Sequence, residues 1–67
     1  ANSALKHIQR SIELNPTNSY AFRNLGHVWK EKGDMEKACE AYKKALDLGF
    51  TSRYGPEVKQ HYKTYCQ

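Results

Sequence analysis

Cys39 and Cys66, the histidines His7, His27 and His61, and a row of donors made by Arg23, His27 and Lys30 are where this chain could do chemistry. Two thiols offer a disulfide, a nucleophile or part of a metal site. For a metal the spacing is poor. There is no Cys-x-x-Cys pair, and the three histidines lie far apart in sequence. His61 is the one histidine expected on the same helix as a cysteine, and its offset from Cys66 turns it elsewhere. A Cys–His nucleophile is unsupported for the same reason. No carboxylate pair, nucleophile–base set or glycine-rich phosphate loop is visible, so an enzyme finds almost no support. The expectation is no catalytic residue, no metal and no cofactor.

The elements that must position these residues are helices. From Tyr20 to Leu48, Phe22, Leu25, Gly26 and Trp29 are answered by Ala38, Tyr42 and Ala45, and each set falls on one stripe at helical spacing. Gly33 can take the left-handed conformation that ends the first of these helices, and Asp34 can cap the second. So short a connection forces the two helices to lie antiparallel. Gly26 has no side chain where the partner comes closest, and Ala38 is nearly as small, so these two are expected to face each other.

Before this hairpin, residues 3–14 place Ala4, Leu5, Ile8, Ser11 and Ile12 on one side, and Asn15-Pro16 stops the helix, because the residue before proline is pushed out of the α region. Thr17-Asn18-Ser19 supplies the next N-cap. After the hairpin, Gly49 ends the third helix and residues 50–54 read as a loop. Gly55-Pro56-Glu57 starts a last helix, with proline at its first position and an acid in its first turn. Val58, Tyr62, Tyr65 and Cys66 then form a stripe expected to be buried. The reading is all-α, four antiparallel helices in a single domain over residues 1–67.

Antiparallel packing bears on the cysteines. If Leu48 lies beside Pro56, then Cys39 and Cys66 sit at similar heights on facing helices, at roughly 1.5 Å per residue. The sulfurs should come close, either bonded or as two reduced, partly buried thiols.

Compared with itself, the sequence repeats. Ala4 pairs with Ala38, Leu5 with Cys39, Ile8 with Tyr42, Ser11 with Ala45 and Ile12 with Leu46, always at an offset of 34. With Phe22, Leu25, Gly26, Trp29, Ala38, Tyr42 and Ala45 in register, the chain resembles the tetratricopeptide repeat, whose period is 34 residues. It departs where Phe50 stands in place of the usual proline. The resemblance implies antiparallel hairpins of an α-solenoid: a second-half helix at 3–14, a complete hairpin at 19–48 and a capping helix at 55–66. It also implies a non-catalytic scaffold that binds a protein or peptide. The family's groove positions fall on Tyr20, Arg23, Asn24, His27, Lys30 and Glu31, off the Phe22–Leu25–Trp29 stripe and so on the free side of that helix. A row of Arg23, His27 and Lys30 suits an acidic partner. Arg23 and Asn24 stand where some members contribute to a carboxylate clamp, which one hairpin cannot reproduce. In a complete repeat, Ala4, Ile8 and Ser11 would pack on a preceding helix, so this face is expected to be covered by a second chain, as in self-association, or left exposed as a sticky surface.

A net charge of +4 leaves nucleic acid as the alternative partner, but Lys and Arg are scattered along the chain, as on a solvated helix surface. The Tyr62 and Tyr65 rings, interleaved with Lys59 and Lys63, are expected in the core rather than stacked on bases. No run approaches the roughly 20 apolar residues of a membrane span. The chain opens at Ala1 without methionine, which reads as a trimmed fragment, and the loss of repeat pattern after Gly49 reads as the end of an array. The compartment is cytoplasmic by default, and exported or periplasmic if Cys39 and Cys66 are oxidised.

Overall fold

A computed structural model describes residues 2–66; Ala1 and Gln67, the ends of the expected domain, lie outside the described residues. Five helices follow one another: α1 (Asn2–Leu14), α2 (Ser19–Glu31), α3 (Met35–Asp47), α4 (Phe50–Tyr54) and α5 (Glu57–Cys66). No strand occurs among the described residues. Helix α2 packs on α1 and α3, α3 also on α5, and the short α4 touches α3 and α5.

The helix ends have local causes. Asn18 caps α2, its Oδ1 accepting from the Ala21 N–H at 3.2 Å, and Asp34 caps α3 by accepting from the Lys37 N–H at 3.1 Å. At the end of α2 the Gly33 N–H donates to the Lys30 carbonyl and the Asp34 N–H to the Trp29 carbonyl, at 3.0 and 2.9 Å. This paired closure needs a left-handed residue, and Gly33 has φ 84°.

The buried centre consists of Ala38, Tyr42, Ala45, Phe50 and Val58. Two expectations change here. Residues 50–54 are a helical turn and not a loop, because Phe50 points inward to 1% exposure and anchors that turn. The gap left by Gly26 is filled by the aromatic ring of Tyr42 rather than by Ala38. A methyl group on Gly26 would run into the Cε1 and Cδ1 atoms of that ring, which is itself fully buried. Phe22 and Trp29 are only partly buried; with Leu25 they line a shallow apolar groove edged by Lys37, Glu40 and Lys44, and the Lys37 Nζ lies 4.4 Å from the Trp29 ring centre.

Cys39 and Cys66 are joined by a disulfide, their Cα atoms 5.7 Å apart. The bond ties the first turns of α3 to the end of α5. It closes a loop of 27 residues, which corresponds to about 3 kcal/mol in the chain-entropy account.

Candidate functional site

Helix α2 offers Tyr20, Arg23, His27 and Lys30 along one side, and α5 offers Glu57, His61 and Tyr65 at four-residue intervals. Side chains one helical turn apart stand above one another on the same face, so each set forms a column. The fold lays the two columns side by side.

The contacts run as a continuous strip. The Tyr54 and Tyr20 rings lie 5.3 Å apart, and the Arg23 guanidinium sits 5.1 Å over the Tyr20 ring. Arg23 then grips Glu57 with two hydrogen bonds, Nε to Oε1 at 3.0 Å and Nη2 to Oε2 at 2.9 Å, while its Nη1 donates to Asn24 Oδ1 at 2.7 Å. The Glu57 Oε2 lies 3.7 Å from His27 Nε2 and 4.0 Å from His61 Nε2. The two imidazoles meet edge to face with ring centres 5.2 Å apart. His61 stacks on Tyr65 at 6.0 Å, and the Lys30 ammonium closes the strip 4.0 Å from the Tyr65 ring centre. Beneath it, the buried Tyr42 hydroxyl lies 2.7 Å from His27 Nδ1.

The electrostatics follow this geometry. Hydrogen bonding to Arg23 holds the Glu57 carboxyl below the usual range, and the same bonds push the Arg23 guanidinium up. Burial lowers the His27 imidazole, helped by the nearby Arg23 charge and only partly offset by Glu57. Burial also raises the Tyr42 phenol.

Several expectations are corrected by this arrangement. Arg23, His27 and Lys30 do form a row, but it is not free: Glu57, Tyr42 and Tyr65 already engage its members. Asn24 accepts from Arg23, while Tyr20 and Glu31 remain exposed. Tyr65 is not in the core. It is 46% exposed, because the side of α5 that faces α3 is taken by Val58, Tyr62 and Cys66. The histidines do not all stand apart: His27 and His61 come together with Glu57, in a group whose ligand atoms all lie within 4.8 Å of one another. On α1, Ala4 and Ser11 are exposed and Ile8 half-buried, with the Ser11 hydroxyl donating back to the His7 carbonyl at 3.1 Å.

The contribution of α5 had a signal in the chain. Arg23 and Glu57 are 34 residues apart, and so are His27 and His61. The repeat period therefore runs on past Gly49, although the apolar letters that usually reveal it are gone.

Stacked antiparallel helices joined by tight turns, with polar and aromatic side chains along neighbouring helices, define an all-α module of the solenoid kind. Residues 19–49 match the family model of the tetratricopeptide repeat. Repeats of this family generally mediate protein–protein interaction and are typically non-catalytic. The comparison with solved structures found no match.

Proposed function

We propose that this chain binds a partner protein or peptide along the strip shared by α2 and α5. Its main contacts are then Tyr20, Tyr54, Tyr65 and Lys30 rather than the ion-paired Arg23. The observation that carries this reading is the exposure of Tyr20, Tyr54 and Tyr65, at 44%, 48% and 46%. Each ring is held by a neighbour on the strip, so it offers contact area at little cost in side-chain entropy, as tyrosines at protein interfaces do. The preference for an acidic partner is weaker than the net charge implies, because Arg23 is neutralised by Glu57 and the Lys30 ammonium lies on an aromatic face. The same neutralisation speaks against nucleic acid, which needs cations free to meet phosphates. Self-association through Ala4, Ile8 and Ser11 is a secondary contact in this reading. The Cys39–Cys66 bond favours an oxidising compartment.

Affinity capture with this chain as bait tests the reading. Wild type is compared with Tyr20→Ala/Lys30→Ala/Tyr65→Ala and with Phe22→Ser/Trp29→Ser, which alters the apolar groove, all variants being checked for helicity. Specific loss of a captured protein in the first variant supports the strip. Unchanged capture there with loss in the second moves the interface to the groove.

A further inference from the structure

We propose that His27, Glu57 and His61 form a binding site for a divalent transition metal, with zinc as the intended ion. Two imidazoles and one carboxylate make a borderline donor set that suits zinc and disfavours magnesium or calcium, which take oxygen ligands. The donors come from two helices. Glu57 and His61 are spaced one turn apart on α5, and His27 approaches from α2. In a tetrahedral zinc site with bonds of about 2.0–2.2 Å, neighbouring donors stand about 3.3 Å apart. Glu57 Oε2 is 3.7 Å from His27 Nε2 and 4.0 Å from His61 Nε2, and all three ligand atoms lie within 4.8 Å of one another, so small side-chain rotations, under an ångström at the carboxylate and at most about 1.5 Å between the imidazoles, bring them to binding distance.

A second shell is already in place. The Tyr42 hydroxyl, at 2.7 Å from His27 Nδ1, fixes the imidazole plane and leaves Nε2 for the metal, the outer contact that histidine ligands usually have. Tyr42 cannot swing away, since its ring is fully buried against Gly26. The side chains of His27, His61 and Glu57 are 29%, 30% and 42% exposed, so an ion reaches them from solvent and a fourth position stays open for water or an added ligand. Such openness belongs to three-ligand zinc sites rather than closed structural ones.

Arg23 opposes the ion. Its Nη2 holds the same Oε2 that the metal needs, so binding gives up that 2.9 Å hydrogen bond while the Nε–Oε1 bond remains available. Removing this charge should therefore tighten metal binding, whereas in a purely structural cluster it would only loosen α5.

The test uses the disulfide-bonded chain, in which no thiol competes for metal, titrated with zinc chloride by calorimetry and followed by thermal melting. The expected result is one equivalent bound, a raised melting midpoint, and shifts of the His27 and His61 ring resonances but not those of His7. His61→Ala and Glu57→Gln should each weaken binding at least about tenfold. Arg23→Gln should strengthen it several-fold, and His7→Ala should change nothing. Circular dichroism verifies that each variant is folded; if His61→Ala is not, Glu57→Gln and the wild-type resonances decide. No saturable binding up to about 1 mM zinc, or binding that survives Glu57→Gln and is removed by His7→Ala, overturns the proposal.

Discussion

Arg23 and Glu57 stand one repeat period, 34 residues, apart in the chain, and the guanidinium of one grips the carboxylate of the other through two hydrogen bonds of 3.0 and 2.9 Å. The pair links the first helix of the complete hairpin to the last helix of the chain. It turns a row of side chains that would face solvent in an isolated hairpin into a junction between neighbouring helices. Two parallel N–H···O bonds orient both groups, which a lone surface lysine could not do.

A double-mutant cycle on Arg23→Gln and Glu57→Gln should give a coupling of up to about 1 kcal/mol, because Glu57 is 42% exposed and solvent screens the pair. Urea unfolding of the four proteins, in the presence of a chelator, measures it. Strictly additive effects would mean that the contact does not hold α5 against α2.

Breaking the disulfide should cost far more. Cys39→Ser/Cys66→Ser, or reduction of the wild type, is expected to remove about 3 kcal/mol, since a 27-residue loop is released in the unfolded chain. In a domain this small that lowers the melting midpoint by about 12–24 °C. The loss should appear first around α5, where hydrogen exchange of Tyr62 and its neighbours would accelerate while α2 and α3 stay protected.

Gly26→Ala tests the closest approach in the hairpin. Alanine gains about 1 kcal/mol of helix propensity over glycine. The new methyl group meets the ring of Tyr42, which is fully buried and would have to shift. Overpacking of this kind costs about 1–3 kcal/mol, so the net effect should be destabilising. Calorimetric melting decides the sign, and a stabilised Gly26→Ala would show that the ring yields.

Acidification should weaken the metal-free fold in two stages. His27 faces Arg23 and Lys30 on its own helix, Tyr42 on α3, and Glu57 and His61 on α5. Its folded pKa lies below the ordinary 6.5, so the stability it contributes is present above that value and is lost as pH falls through the lowered one. Glu57 is likewise depressed from 4.5, so its contribution is present above 4.5 and is lost at still lower pH. Urea midpoints taken from about pH 7.5 down to about pH 2.5 should fall, and His27→Gln should remove the upper part of the decline. A midpoint that rises on acidification would contradict both shifts.

How much of this was legible beforehand depends on whether a residue acts through its own helix or through a distant one. The stripe of Phe22, Leu25, Gly26 and Trp29, the stop at Gly33-Asp34 and the echo of Ala4, Leu5 and Ile8 in Ala38, Cys39 and Tyr42 are local patterns. The 3.6-residue turn and the capping chemistry read them without help. They settle an all-α chain of antiparallel helices with a tetratricopeptide hairpin at its centre. The proximity of Cys39 and Cys66 could also be approached by counting along two antiparallel helices.

What only the tertiary structure decided is which side chains meet across helices that share no turn. Which group fills the gap at Gly26 depends on how far α3 slides along α2, and a single ring settles it. Whether Arg23, His27 and Lys30 stay free depends on where α5 comes to rest. The disulfide and the burial of Phe50 and Val58 draw α5 against the hairpin, and Glu57, His61 and Tyr65 then engage that row. Periodicity tells which way a side chain faces; only the packed core tells what stands opposite it.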